Sequence, residues 1–472
     1  MASEYEAVRW RILSGRGAGR PSSALSPLAT MNPPPASSSS TSANPSQPTN
    51  LPLLISTSFI ETLANHVKTL SEARISKGFL HLHPAPIHRS RYLADPPQQY
   101  QHITDLLRRI DINLFNISPF KLQTFLSSLL TRLVHDSTRL SRTGTDLPTT
   151  QRICAAIFAG AGITELNLPN TPGFHSEVDA VARQQGRTTV ALAGVLRARE
   201  QVVHYTNALA YFIQWVVCES GELTTELLRD THRILTRAHE PVDGMPCEPF
   251  GGRYRDYQLV SDVVIGSHEN DSVYDSNDDN DTETITPTTP RNLHSRASDT
   301  TDLSRAGSIY HDVAEEPHSG PTPLRESIDP REVEAYTAKL IDTYHAQLSL
   351  DRHSRQADNV AECTLSDPFA LTAWLCSEFL HVRPFVAGNE EISRIMLTGI
   401  LLRELGVAAV IGRDDGDGEA GRAEYTEILE RCQQRHGTTE GEDGGSYAEF
   451  AGLVVRRATA CVEDLAAVVG SS

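Results

Sequence analysis

His381-Val-Arg-Pro-Phe-Val-Ala-Gly-Asn-Glu-Glu-Ile-Ser-Arg394 is the stretch that decides the fold, because it joins two apolar runs with helical spacing. These runs cover residues 370–380 and 392–405. Pro384 disfavours a helical conformation at Arg383, and Asn389 is a suitable N-cap for the second helix. Backbone N–H groups at the start of a helix bind anions. The stretch therefore predicts a helix, a phosphate-binding loop and a second helix.

The same stretch resembles the signature of the Fic (Fido) family of nucleotide-dependent protein-modifying transferases, which reads H-P-F-x-[DE]-G-N-[GK]-R-x-x-R between two helices. The residues that match in register are Pro384, Phe385, Gly388, Asn389 and Arg394. The resemblance implies a mainly α fold: a Fic-like helical bundle with a small β-hairpin flap. It also implies an activity, the transfer of AMP from ATP to Ser, Thr or Tyr hydroxyls of a target protein.

The departures from that signature fall on the positions that carry the chemistry. Arg383 stands at the position of the catalytic histidine, and its guanidinium stays protonated up to a pKa above about 12, so it cannot act as a general base. The nearby His381 is the candidate replacement. Ala387 stands at the position of the metal-binding acid and has no side-chain oxygen for magnesium. We therefore expect no metal ligand and assign no catalytic residue; ATP and magnesium are cofactors only if the protein is active.

The candidate nucleotide- or anion-binding residues are Gly388, Asn389, Glu390, Glu391 and Arg394. Glu390 and Glu391 replace the glycine and arginine that follow the asparagine in the family. Two carboxylates in a first helical turn stabilise the helix through its dipole by roughly 0.3–1 kcal/mol each. The same charges repel a triphosphate. The sequence thus predicts an anion site that is neutralised by its own side chains.

Upstream segments extend the resemblance. Tyr205-Thr-Asn-Ala-Leu209 and Leu228-Arg-Asp-Thr-His-Arg-Ile-Leu235 are similar to the family modules Y-x-x-A-L and L-x-x-L-H-x-x-L. His232 is accordingly predicted to be a packing residue rather than a base. The family's inhibitory helix, [ST]-x-x-x-E-[GN], aligns with Ala155 and Ala159 at the Ser/Thr and Glu positions, which implies that the inhibitory carboxylate is absent. The alternative is an ordinary helix end rich in small residues.

Gly251-Gly-Arg-Tyr-Arg-Asp-Tyr-Gln-Leu-Val260 predicts a hairpin from its glycines and its aromatic and β-branched residues. It resembles the family's P-G-x-Y-R segment and the flap that follows, which holds the target by strand addition. The target-binding candidates are Gly252, Arg253, Tyr254 and Arg255. The alternative is a hairpin without that role.

Composition predicts the domain organisation. Residues 1–50, rich in Ser, Pro, Thr and Asn, are predicted to be disordered, and residues 51–150 to form a helical extension. The family resemblance implies a Fic-like domain at residues 151–472, interrupted at about 267–329 by an acidic insertion that its composition predicts to be disordered. Helix resumes with Asp329 as cap and Pro330 at the first helical position. Further helices are predicted at 58–70, 106–114, 119–140, 200–219, 224–238, 423–435 and 447–469.

The formal net charge of −18 argues against a nucleic-acid partner, which needs a basic face. The chain has no run of about 18 apolar residues, so no membrane span is expected. The seven cysteines are scattered without zinc-ligand spacing, and several lie in apolar helical runs. Reduced core thiols of this kind are typical of a cytoplasmic or nuclear protein. A homo-oligomer is compatible with all of these observations.

Together these features favour a Fido-domain protein in which transfer chemistry has been lost. We expect a binding or regulatory pseudoenzyme that holds a protein or peptide target. The alternative is an active nucleotide-dependent protein-modifying transferase with other catalytic residues. Base, metal ligand and phosphate donors have all changed, and one change is easier to compensate than several.

Overall fold

The structure, a computed structural model, describes residues 58–77, 80, 82–84, 93, 95–160, 174–185, 188, 190, 192–238, 250–255, 328–356, 367–413, 419–435 and 447–470. The chain divides into two compact units, Met1–Leu53 and Leu54–Ser472. All described residues belong to the second unit. The predicted disorder of residues 1–50, and nearly all of the acidic insertion, lie outside the described residues.

The described part of the second unit is mainly α, as the sequence predicts, and it contains no β-strand. Its helices are α1 (Phe59–Ser76), α2 (Pro96–Asn113), α3 (Pro119–Leu140), α4 (Leu147–Phe158), α5 (Phe174–Gln184), α6 (Leu192–Ile213), α7 (Thr225–Leu235), α8 (Val333–Gln356), α9 (Pro368–Val382), α10 (Asn389–Leu405), α11 (Glu419–Arg435) and α12 (Ala448–Gly470). A π-helical turn, Gln214–Cys218, continues α6, and a 3-10 turn, Thr236–Ala238, continues α7.

Acidic and hydroxyl side chains begin several of these helices. The carboxylates of Asp95, Asp146 and Asp367 each accept hydrogen bonds from backbone N–H groups of the first turn, and each of these helices has a proline at its first or second position. The Thr224 hydroxyl accepts the equivalent bond at α7. Such caps satisfy donors that have no partner within the helix, and each contributes about 1 kcal/mol.

Several helix boundaries differ from the prediction; α1 ends at Ser76 rather than at residue 70, and α6 begins at Leu192 rather than at residue 200. Helix α2 begins at Pro96, well before the predicted start at residue 106, because the Asp95 cap and the following prolines set the boundary. Asp329 does not cap α8, which begins at Val333. Its carboxylate instead accepts from the Arg331 N–H at 2.9 Å and its carbonyl from the Glu332 N–H, so Pro330 lies in a turn.

Helices α9 and α10, on either side of the signature stretch, form the central pair of the bundle. Helix α12 packs against α2 and α9, and α10 packs against α6. A Cβ atom at Gly399 would lie 2.5 Å from the ring of Phe212, so only glycine permits this close approach of α10 to α6. The helices of residues 58–140 and those of the C-terminal part thus share one core.

A buried ion pair attaches α5 to α6. Arg199 donates to both carboxylate oxygens of Glu177, at 2.7 and 2.6 Å, and both side chains are almost fully buried. The Arg199 guanidinium also lies 5.8 Å from the ring centroid of Phe174. Removing one partner of such a pair leaves an uncompensated buried charge, which makes the pair a strong determinant of where α5 docks.

The described cysteines are free thiols, and those at 154, 376, 432 and 461 are buried. Burial raises the pKa of the Cys154 and Cys376 thiols to about 12, so both are neutral core side chains at physiological pH. This agrees with the prediction of reduced thiols packed in helices. None of the described helices combines the length and apolarity that crossing a membrane requires.

Candidate functional site

A residue with left-handed backbone conformation stands at each end of the loop between α9 and α10. Arg383 ends α9 with φ +45° and ψ +63°, a left-handed conformation that is rare for a residue other than glycine. Gly388, with φ +75°, precedes α10 as its N-cap. The prediction of Asn389 as N-cap is therefore wrong by one residue, because Asn389 is already the first helical residue.

The Asn389 side chain closes the loop instead. Its Oδ1 accepts from the Phe385 N–H at 3.0 Å, and its Nδ2 donates to the Phe385 carbonyl at 2.8 Å. Both polar atoms of the amide are thus used within the loop. Asn389 therefore fixes the path of the backbone between Phe385 and the start of α10.

His232, on α7, joins the loop to the segment at residues 250–255. Its Nδ1 accepts from the Gly252 N–H at 3.0 Å, so its Nε2 carries the proton and donates to the Ala387 carbonyl, also at 3.0 Å. The imidazole is buried and stacks on the Phe385 ring, with 3.8 Å between centroids and an interplanar angle of 5°. His232 has the packing role predicted for it, and both ring nitrogens are engaged.

The four described residues predicted to bind a target differ in exposure. Arg253 is exposed, whereas Gly252 is buried and Tyr254 is half-buried. The Tyr254 ring lies 5.3 Å from that of Phe385, and the Arg229 guanidinium lies 5.8 Å from the Tyr254 ring. Burial raises the pKa of the Tyr254 phenol far above its ordinary value. Tyr254 therefore packs against the loop. The rest of the predicted hairpin lies outside the described residues.

Arg255 binds the C-terminal end of α9. Its Nε donates to the Arg383 carbonyl at 2.8 Å, and its Nη2 donates to the carbonyls of Val382 and Ile328 at 3.2 and 3.1 Å. Its backbone N–H donates to the Pro384 carbonyl at 2.8 Å. A cation at this end of a helix satisfies carbonyls that have no partner within the helix and opposes the negative end of the dipole.

Arg394, on α10, is buried, and every one of its guanidinium donors has an acceptor. Nε donates to the Ser137 hydroxyl at 2.5 Å, and Nη2 donates to the Ser137 carbonyl and the Ser141 hydroxyl. Nη1 lies 3.5 Å from Glu390 Oε2 and from the Tyr425 hydroxyl. A phosphate could bind this guanidinium only by displacing protein groups.

The two glutamates of the first turn of α10 differ in environment. Glu390 is half-exposed and reaches Arg394 at 3.5 Å. The Glu391 side chain is only 18% exposed, lies 3.6 Å from Arg394 and accepts a hydrogen bond from the Ser141 hydroxyl. Ser141 therefore accepts from Arg394 and donates to Glu391, which connects the end of α3 to the start of α10.

Ala387, at the position of the family's metal-binding acid, offers no side-chain oxygen to a magnesium ion. The Ala387 carbonyl is occupied by His232, and no group of three or more His, Cys, Asp or Glu side chains among the described residues could hold a metal ion. His381 lies half-buried in the last turn of α9. Arg383, the residue at the family's base position, has an exposed side chain.

The segment aligned with the inhibitory helix lies at the end of α4. Ala159 is the C-cap of that helix, and Gly160 follows with φ +74°. Helix α4 packs against α3 and α6. The position offers no carboxylate, and the left-handed glycine after it is the usual way in which a helix ends. The sequence allows two interpretations of these residues, an inhibitory helix or an ordinary helix end. The geometry of an ordinary helix end accounts for them.

Three residues of the site were not predicted: Ser137 and Ser141 on α3, and Tyr425 on α11. Ser137 and Ser141 lie one helical turn apart and interrupt the apolar face of α3, which is a weak signal for a polar contact. Nothing in the sequence identifies Arg394 as their partner, because the contact joins residues more than 250 positions apart. Buried polar pairs of this separation follow from tertiary packing alone.

The described residues thus define a helical domain whose central helix–loop–helix site is filled by its own hydrogen bonds. No protein-family model matches the chain, and no curated protein matches it. Among solved structures, the chain is similar to the crystal structure of a Fic domain containing signaling protein from Bacteroides thetaiotaomicron, at 14% identity. The match covers 79% of this chain and 97% of the other, with a TM-score of 0.44. A likeness this distant supports no statement about the site.

Proposed function

We propose that this protein is a non-catalytic binding module on a Fic-like scaffold, which holds a segment of a partner protein and does not transfer a nucleotide. The signature at residues 381–394 supports the scaffold, and the geometry of the same stretch supports the loss of chemistry. The observation that carries the proposal is the state of Arg394, whose donors are all satisfied inside the protein.

Four further features point in the same direction. Asn389 bonds the Phe385 backbone through both polar atoms of its amide, and Ala387 has no side-chain metal ligand. Glu390 and Glu391 place two carboxylates in the first turn of α10, where a phosphate would otherwise benefit from the helix dipole. A general base must titrate near the working pH, and Arg383 does not.

The proposal predicts weak or absent ATP binding. Titration calorimetry of the full chain with ATP, with and without magnesium, should give no dissociation constant below about 1 mM, since two carboxylates repel the phosphates and the guanidinium is already occupied. Magnesium should make no difference, because Ala387 replaces the acid that would hold it against the phosphates.

A micromolar dissociation constant that depends on magnesium would contradict the proposal. Incorporation of labelled AMP into the protein itself, abolished in Glu390→Ala or His381→Ala, would favour an active transferase with unusual residues. The proposal expects no incorporation by the wild type or by either variant.

A further inference from the structure

The turn between α2 and α3 carries large apolar side chains that the core does not use. Six large apolar or aromatic side chains are exposed among the described residues, and three of them, Ile112, Phe115 and Phe120, lie within residues 112–120. Their exposed fractions are 53%, 55% and 74%. Single exposed apolar residues are ordinary on a protein surface, whereas a cluster of them marks a surface that contacts another molecule. We call residues 112–121 the α2–α3 corner.

The core holds the backbone of this corner in place. Leu114 and Ile117 are buried, and the Leu114 N–H donates to the Ile110 carbonyl at 2.8 Å as α2 ends. Phe115 lies between the two buried residues, and Phe120 lies in the first turn of α3. Both aromatic side chains therefore project from a backbone that the core positions, and the apolar side chains beneath them already fill the core.

The exposed charges at the corner are positive. Arg108 and Arg109, in the last turns of α2, and Lys121, in the first turn of α3, are all exposed. In residues 106–141, all of which the structure describes, both carboxylates are buried. The corner thus combines exposed aromatic side chains with cations on either side of them.

The charges of other elements leave this positive charge in place. Helix α1 packs on both α2 and α3, and its last two turns expose one charge of each sign, Glu72 and Lys77. The candidate site lies at the other end of α3, which is 22 residues or about 33 Å long and contacts Arg394 through Ser137 and Ser141. Salt screens exposed charges within about 10 Å, so the net charge of −18 does not cancel the local cations.

We propose that the α2–α3 corner binds the surface of a lipid bilayer that contains anionic lipid. Phe115 and Phe120 enter the boundary of the acyl chains, while Arg109 and Lys121 contact the headgroups. A bilayer fits aromatic side chains that project from a turn, whereas a bound peptide needs a groove or a sheet edge. Cations gain from the negative potential of anionic lipid, and their long stems remain beside the apolar phase. The contact is peripheral, and it does not depend on the proposed function.

The test is co-sedimentation of the full chain with sucrose-loaded vesicles of two compositions. One contains phosphatidylcholine alone, and the other contains phosphatidylcholine mixed with phosphatidylserine. Phosphatidylserine should tighten binding at least about tenfold, since two cations near an anionic surface gain that much. Raising the salt concentration to about 0.5 M should remove most of this difference.

Two double variants locate the binding. Phe120→Ser with Lys121→Gln should weaken binding to the mixed vesicles at least about tenfold, because it removes an inserted aromatic side chain and a cation. The matched control is Tyr336→Ser with Lys339→Gln on α8, which also removes an exposed aromatic side chain and an exposed lysine, and it should bind as the wild type does. All four side chains are exposed, and circular dichroism checks that both variants fold.

Insertion is measured separately with Phe120→Trp, whose added fluorescence should be quenched by lipids brominated on their acyl chains. Absence of sedimentation with the mixed vesicles, or equal binding to both vesicle types, would overturn the proposal. So would a corner variant that binds as well as its control, or sedimentation of Phe120→Trp without quenching. Self-association of the wild type that Phe120→Ser with Lys121→Gln abolishes, without vesicle binding, would instead make the corner an interface between two copies.

Discussion

At the scale of single residues, the polar side chains of the site form hydrogen bonds within the protein. His232 is the clearest case, because one imidazole connects the backbone of Gly252 to that of Ala387 and packs against Phe385. The sequence module around His232 identifies it as a packing residue. Its two hydrogen bonds, however, depend on two loops that lie 20 and 155 residues further along the chain, and local sequence does not encode them.

Gly252 provides a test at this scale. It has φ +73°, and a Cβ atom there would lie 2.7 Å from the Arg229 carbonyl oxygen. The left-handed conformation and the clash should make Gly252→Ala less stable by about 2–4 kcal/mol. Urea denaturation followed by circular dichroism measures this as a lower midpoint at unchanged slope.

Gly251→Ala is the matched control, since the neighbouring residue lacks a positive φ and its added Cβ would meet no atom closer than 3.4 Å. Its stability should stay within about 1 kcal/mol of the wild type. If the two variants were equally stable, the segment at residues 250–255 would not be held against α7 as described.

At the scale of helices, the start of α10 is attached to the end of α3. Ser137 and Ser141 receive the Arg394 guanidinium, and Ser141 also donates to Glu391. The helices themselves follow from the sequence: α3 has its predicted bounds, and α9 and α10 lie on either side of the loop as expected. The contact between α3 and α10 does not follow, because helical periodicity identifies a buried face but not the helix that covers it.

Glu391→Arg should break this attachment. The new guanidinium would face the buried Arg394, and Ser141 would lose its acceptor, so we expect a loss of about 3 kcal/mol in the free energy of unfolding. The control is Glu390→Arg, which makes the same charge change one residue earlier, at a half-exposed carboxylate. Its cost should stay below about 1 kcal/mol beyond the loss of helix-dipole stabilisation that both variants share.

Urea denaturation of both variants at low salt measures the difference. Equal losses would mean that the Glu391 contacts contribute nothing beyond the helix dipole. The result also bears on any attempt to restore the family signature. That attempt needs four substitutions: Arg383→His, Ala387→Asp, Glu390→Gly and Glu391→Arg. The last of them places a second guanidinium beside Arg394 and removes the acceptor of Ser141, so we expect the rebuilt signature to lower stability unless α3 is changed as well.

At the scale of the whole molecule, the described helices form one core, and the described residues on the two sides of the acidic segment lie close together. Arg255 precedes the segment and Ile328 follows it, and Arg255 Nη2 donates to the Ile328 carbonyl at 3.1 Å. The two ends of the segment are therefore only one arginine side chain apart. Composition predicts a segment poor in large apolar residues, but not where its ends meet, since that depends on α7, α8 and α9 together.

Deleting residues 270–325 should therefore leave the bundle intact. The deleted residues contain few large apolar side chains to lose from a core, and a loop whose ends are already adjacent closes more easily when it is shorter. Because closure cost changes by only about 0.6 kcal/mol for each doubling of length, we expect a melting temperature within about 2 °C of the wild type.

Differential scanning calorimetry measures the melting temperature. The control is a variant in which a Gly-Ser segment of the same length replaces residues 270–325. A fall of many degrees in both variants would show that the native segment packs on the helices. A fall in the deletion alone would show instead that the shortened loop strains the contact between Arg255 and Ile328.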